Sequence, residues 1–315
     1  MSSMSLVRGA LFFGVLAAFP YALDRPWLLD IAIFTLLYAT LASAWNLVGG
    51  YAGYPSLGHA AFFGVGAYAE ALFYQHRSAG GGYGPLVAAL PVGVVVAVLA
   101  LPVAWIAMRT RADVFAIVTI TLLFVVQSLA YNLHGLTGGS QGIALPAPPF
   151  DPAAFERPFY FAALALLAIA LTVSFLVTRT KTGMFLLAIR ADEDKAESAG
   201  IRVTLIKLVA FGLSAGLTGA AGAIWAYYVA FVYPQFAIDP LVTIGMVLMT
   251  YLGGRATLWG PVLGAFLLTP LQQYLAYRFG GAQLYLVGYA AVFLGVMTLL
   301  PQGILPTLTG RGLRA

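Results

Sequence analysis

Residues 85–131 read PLVAALPVGVVVAVLALPVAWIAMRTRADVFAIVTITLLFVVQSLAY. Two uncharged apolar runs flank a short hinge that holds Arg109, Arg111 and Asp113. Each run approaches the roughly 20 apolar residues that a helix needs to cross a bilayer. The chain around this stretch has the same character. Of its 315 residues, 61% are apolar and only 9% are charged, whereas an ordinary soluble domain carries about 25% charge. So few charges could not cover a water-facing surface, and bilayer is the natural solvent.

Working outward, about ten apolar segments follow one another, at 6–23, 28–48, 57–74, 85–107, 113–131, 159–178, 205–231, 237–252, 258–276 and 282–300. The reading is an all-α, polytopic membrane bundle with little chain left for a soluble domain. Arg8 ahead of the first run also suits a signal peptide. No small-x-small site follows before Asp24-Arg25, so a retained first helix is expected.

Orientation follows from the distribution of cations. With the N-terminus inside, alternation puts Arg8, Arg109, Arg111, Arg179, Lys181, Arg190, Lys195, Arg202, Lys207, Arg255, Arg311 and Arg314 in the cytoplasm. Only Arg25, Arg77, Arg157 and Arg278 fall outside, which divides the 16 basic residues twelve to four. Both termini are expected inside. The net charge of +5 thus reflects topology, and nucleic acid is not an expected partner. Cysteine is absent, which excludes disulfides, thiolate metal sites and a cysteine nucleophile.

Two stretches interrupt the plain spans. Gly49-Gly50-Tyr51-Ala52-Gly53-Tyr54-Pro55 carries no charge, and glycine and proline disfavour continuous helix. Irregular backbone at membrane depth is tolerated where protein or a water-filled cavity surrounds it, so residues 49–56 are expected to form a break dipping into the bundle. The second runs from Gly253 to Gly264. Pro55-Ser56-Leu57-Gly58 and Pro261-Val262-Leu263-Gly264 are each expected to open an apolar helix, and matching breaks can mark an internal repeat around a transport site.

A pump requires a source of energy. None of the lysines, Lys181, Lys195 and Lys207, follows a glycine, so the phosphate-binding G-x-x-x-x-G-K-[ST] pattern is absent. Ion coupling would need submerged carboxyl groups. Glu70 alone stands inside a predicted span, about a turn from its end, where an interfacial position is expected. A self-sufficient ion-coupled carrier and a passive channel with re-entrant loops are the competing classes. A membrane enzyme is disfavoured because no nucleophile–base pair or metal cluster is visible.

The loop 179–207 concentrates six basic and four acidic residues. Met184, Leu187, Ala188 and Ala191 follow helical spacing. Asp192 is placed to cap a second short helix, with Gly200 as its stop. Such an element either ties two spans together at the interface or docks a soluble partner.

Ala44-Trp45-Asn46-Leu47-Val48-Gly49-Gly50-Tyr51-Ala52-Gly53, followed by Ser56-Leu57-Gly58-His59-Ala60-Ala61-Phe62-Phe63-Gly64, resembles the signature of LivM-type permeases of branched-chain amino acid ABC importers. Thr137-Gly138-Gly139-Ser140-Gln141-Gly142, Ala188-Ile189-Arg190 with Gly200-Ile201, and the stretch Gly253–Gly264 extend the likeness over about residues 30–305. Pro55 and Ala256 depart from it, Ala256 standing where a glycine is expected.

The resemblance implies that residues 1–315 form a single transmembrane permease domain in the bacterial inner membrane. Its partners would be a homologous LivH-type permease, two cytoplasmic ATP-binding subunits and a periplasmic substrate-binding protein. ATP and Mg would belong to those ATPase subunits, and this chain would hold no cofactor, metal or catalytic residue. Leucine, isoleucine and valine are the implied substrates, with urea and amides carried by similar permeases.

The same resemblance makes loop 179–207 a coupling element. Met184, Phe185 and Leu187 would anchor it on the ATPase, and Arg190, Asp192, Glu193, Asp194, Lys195 and Glu197 would orient it, with Gly200 as its end. Gly49, Gly50, Gly53, Pro55, Ser56, Gly58 and His59 are candidates for the translocation path, the glycines as cradles for a substrate carboxylate or as sites of close packing. Thr121 and Ser128, seven apart on one helical face, are further path candidates that interhelical hydrogen bonding would explain as well. Gly138, Gly139 and Ser140 are candidates for binding-protein docking, or form a plain turn. Gly212, Gly216 and Gly219-Ala220 form a small-residue stripe suited to close helix packing.

Overall fold

The computed structural model describes residues 3–22, 25–76, 82–279 and 303–310, with a few positions between 287 and 298. Helices α1 (Ser3–Ala22), α2 (Pro26–Trp45), α3 (His59–His76), α4 (Gly84–Ala107) and α5 (Ala112–Asn132) occupy the first half. After a short α6 (His134–Thr137) come α7 (Glu156–Arg179), α8 (Lys181–Ala191), α9 (Glu193–Ser198) and α10 (Val203–Val229). The chain continues through α11 (Pro234–Ala237), α12 (Pro240–Gly253), α13 (Gly260–Phe279) and α14 (Ile304–Thr309). Nine of the ten expected segments therefore carry a helix, and of the tenth, 282–300, only a few positions are among the described residues. Among the described residues, six helices are long and apolar enough to cross a membrane.

Sequence sets the ends of these helices. Pro26 and Pro240 occupy first-turn positions, where a missing N–H costs nothing. The Asp239 carboxylate accepts from the Leu241 N–H at 2.8 Å and caps α12. Asp192 caps α9 in the same way, accepting from the Lys195 N–H at 3.0 Å, and Gly200 follows with φ +83°.

Helix α2 is the axis of the bundle: 78% of its span is buried, against 22% for α4 and for α5. The small-residue stripe of α10 packs inside the chain, onto α4 and α3. A Cβ at Gly216 would sit 3.0 Å from the Gly93 carbonyl oxygen, and one at Gly219 would meet Val96 at 2.7 Å. Removing side chains from both surfaces lets the backbones touch, the usual device where lipid supplies no hydrophobic drive between helices.

Loops gather at two ends, as the alternation requires. At one end, strands β1 (Ile143–Ala144) and β2 (Phe231–Val232) pair antiparallel, with Ile143 opposite Val232. The Tyr227 hydroxyl joins the same end by accepting from the Gly82 N–H at 2.9 Å. At the other end lie the chain after α2, the α4–α5 turn, α8 and α9, where Arg111 and Asp194 approach to 3.8 Å.

Both interruptions differ in detail from the expectation. Hydrogen bonding runs on past α2 as a wide π turn over Asn46–Tyr51, so Gly49 and Gly50 remain helical, and the irregular chain is 52–58. Pro55 lies four residues ahead of α3, whereas Pro261 sits in the first turn of α13. The two Pro-x-Leu-Gly stretches are therefore not structural equivalents, because residues 56–58 are held out of helix by the contacts described below. Glu70 is fully buried in α3, and neither carboxylate oxygen has a hydrogen-bond partner among the described residues.

Candidate functional site: two helix breaks clasped beneath a charged turn

The chain after α2 is fastened on every side. Trp45 Nε1 donates to the Ser56 carbonyl at 2.7 Å, and the Leu57 N–H donates to Thr119 Oγ1 of α5 at 3.0 Å. The Ala60 N–H, in the first turn of α3, donates to Thr243 Oγ1 of α12 at 2.8 Å. Gly58 packs so closely that a Cβ would strike the Thr119 carbonyl. The N–H groups of Leu57, Gly58 and Ala60 are therefore engaged within the chain, in a close-packed segment.

His59 belongs to this segment. Its ring is fully buried, with Nδ1 2.8 Å from Ser56 Oγ and Nε2 2.7 Å from Ser214 Oγ of α10. Ser214 donates onward to the Ala44 carbonyl at 2.6 Å, so its oxygen accepts from Nε2–H and Nδ1 accepts from Ser56. One neutral tautomer satisfies the whole chain of bonds.

The second break, 254–259, is joined to the first by Asn46. Its amide nitrogen donates to the Thr257 carbonyl at 2.9 Å, and its amide oxygen accepts from the Ala256 N–H at 2.9 Å. Gly50 leaves room for this side chain. Ala256 has φ +57°, the left-handed region that glycine occupies freely, which explains why a glycine was expected there.

Above the first break sit α8 and α9. Gly183, Leu186 and Ile189 are buried, three apart on the inner face of α8. Met184 and Leu187, 62% and 46% exposed, form an outer apolar face beside the partly buried Phe185. Asp194, Lys195, Glu197 and Gly200 are also exposed. Hydrogen bonds from the ammonium and backbone of Lys195 hold the Asp192 carboxyl below its usual range.

Arg190 and Glu193 turn the other way. Arg190 Nη1 donates to the Gly50 carbonyl at 2.8 Å. Its stem covers Gly53, whose φ is +76° and whose Cβ would lie 2.8 Å from Arg190 Cγ. Burial, then the neighbouring Arg255 guanidinium, lower Arg190 from its ordinary value. Glu193 Oε1 accepts from Lys207 Nζ at 2.7 Å, and Oε2 accepts from the Tyr54 hydroxyl.

Thr121 and Ser128 lie on the exposed face of α5. Thr121 bonds its own helix at Ile117, and the Ser128 carbonyl accepts from Asn132, so neither reaches another helix of this chain through these bonds. Gly138 and Gly139 have φ +70° and +58° and open a turn at the opposite end, with Ser140 exposed. The site candidates therefore fall into four places: the first break, a turn covering it, an outer face of α5, and the Gly138–Ser140 turn at the opposite end.

Sequence reading missed Asn46, Tyr54, Lys207 and Ser214. A lone amide at the end of a long apolar run was the available signal for Asn46. Lys207 counted only as one more positive charge, yet it is 1% exposed. Nothing in the sequence places Tyr54 beside it.

Nine described helices in the expected segments, two clasped breaks and a charged turn at one end define a polytopic membrane permease subunit. The family described as "Branched-chain amino acid transport system / permease component" matches residues 27–301. The chain belongs to this family and is a membrane permease subunit of an ABC importer.

It is 30% identical over 322 aligned positions to the high-affinity branched-chain amino acid transport system permease protein LivM of Salmonella typhimurium, covering 93% of this chain and 73% of that one. The LivM protein of Escherichia coli is 29% identical, covering 92% and 72%. A shorter match, 30% over 116 residues and 35% of this chain, is to the autoinducer 2 import system permease protein LsrC of Salmonella paratyphi B. No solved structure matches.

Proposed function

We propose that this chain forms one wall of the translocation path for branched-chain amino acids in an importer driven by ATP hydrolysed on other subunits. It sits in the bacterial inner membrane with both termini in the cytoplasm, beside a homologous LivH-type permease. Two cytoplasmic ATPases bind ATP and Mg, and one of them docks on α8 and α9 through Met184, Phe185 and Leu187. A periplasmic binding protein approaches the turn at Gly138, Gly139 and Ser140. The substrate reading draws support from the LivM relatives.

The observation that carries the path assignment is the contrast between the first break and α5. The backbone at Tyr54 and at Ser56–Gly58 is hydrogen-bonded within the chain, whereas α5 turns Thr121 and Ser128 outward among Ile117, Phe124 and Leu129. Outward hydroxyls amid apolar side chains suit a face shared between a second permease and a passing zwitterion. The α4 face, with Val94, Val98 and Ile106 exposed, suits lipid.

Proteoliposomes test the reading. Leucine should accumulate when this chain is assembled with its permease, ATPase and binding-protein partners and given ATP. The purified chain alone should accumulate none under any proton or sodium gradient, and accumulation by it alone would overturn the proposal.

A further inference from the structure

Lys207 lies in the second turn of α10 with its side chain 1% exposed, while that of its partner Glu193 is 33% exposed. An ammonium has three N–H donors, and here each has an acceptor on a different element. They go to the Tyr54 hydroxyl at 3.0 Å, the Met108 carbonyl at 3.0 Å and Glu193 Oε1 at 2.7 Å. Tyr54 in turn donates to the second oxygen of Glu193, so both carboxylate oxygens are used and a closed triangle results. The same ammonium lies 4.2 Å from the centre of the Tyr54 ring. One buried charge thus joins the first break, the end of α4, the start of α9 and α10. Arg190 adds a second strut, from α8 to the Gly50 carbonyl.

Stability alone does not account for such a centre. A buried ion pair replaced by apolar side chains of similar size commonly leaves a protein as stable or more so. The triangle contributes what apolar packing does not, a fixed geometry between the exposed turn and the break.

We propose that Lys207, Glu193 and Tyr54 are positioning residues that make the α8–α9 turn and the first break move as one body, so that displacement of the turn reaches the membrane interior. This inference rests on the importer reading above. Glu193 and Arg190 accordingly act inward on this chain, and docking is left to the exposed residues of α8 and α9.

The test uses the assembled complex in proteoliposomes. Lys207→Met alone strands the Glu193 carboxylate and lowers stability. The double variant Lys207→Met/Glu193→Gln removes both charges and recovers the wild-type melting temperature and ATPase co-purification. Leucine accumulated per ATP hydrolysed still falls by about tenfold, within the range that loss of a coupling interaction produces. Because the chain has no cysteine, spin labels at Leu57→Cys and Glu197→Cys report the joint directly. Their distance distribution should be narrow in the otherwise wild-type chain and broad in the double variant.

A double variant that regains stability together with wild-type transport per ATP, or an unchanged label distance, overturns the inference while leaving the importer reading intact. A wild-type complex without ATP-driven uptake overturns both.

Discussion

Asn46 and Thr257 are 211 positions apart, yet the side-chain amide of the first donates to the carbonyl of the second at 2.9 Å. With the return bond from the Ala256 N–H to Asn46 Oδ1, one side chain satisfies the backbone of a break on a different helix. Irregular chain inside a membrane bundle needs such partners, since water is not there to supply them.

Replacing Asn46 by leucine keeps the volume similar and removes both bonds. The Ala256 N–H and the Thr257 carbonyl would then be left unpaired, at about 1–3 kcal/mol each where buried. The purified variant should melt at a clearly lower temperature in detergent. A melting temperature equal to wild type would show that the clasp is incidental.

Gly53→Leu should abolish uptake. Its φ of +76° is a conformation a side chain resists, and the Arg190 stem occupies the space above it. The left-handed backbone alone costs roughly 1–2 kcal/mol for a residue with a Cβ, before the collision with Arg190 is counted. Gly53→Ala should show a partial loss. Wild-type leucine uptake by Gly53→Leu would refute the role given to this position.

On the exposed turn, Met184→Asp with Leu187→Asp should strip the ATPase from the complex during purification. Reversing the charges of Asp194 and Lys195 should matter far less, because exposed ion pairs contribute only about 0–1 kcal/mol. Co-purification is the readout. Retention of the ATPase by the Met184/Leu187 variant would move docking elsewhere.

Glu70→Gln should express and transport normally. The described residues offer no partner to either carboxylate oxygen, so the isosteric amide loses no bond seen there. Uptake reduced tenfold or more, at normal expression and folding, would reveal a role for the acid that packing does not explain.

Much of the architecture was legible because bilayer thickness imposes a length on every span. The Asp192 cap and the Gly200 stop were legible too, since both obey local rules that need no tertiary contact. The site was less so. Gly49 and Gly50 advertised an interruption, but a widened turn and a true break have the same composition, and only the Trp45, Ser56 and Thr119 contacts decide where the helix ends. Arg190 and Glu193 looked like any other charges on an exposed loop. Their inward aim depends on Gly50, Tyr54 and Lys207, more than a dozen to more than a hundred residues distant, and no periodicity encodes such a meeting.

The π turn at Asn46–Tyr51 has a mechanical corollary. Its bonds span one residue more than those of an α-helix, so the turn stores a single residue of slack at the junction with the break. Tightening it to ordinary pitch would feed that residue forward, shifting the following chain by about 1.5 Å and rotating it by roughly a quarter turn. A step of that size resembles the click of a ratchet more than the swing of a hinge.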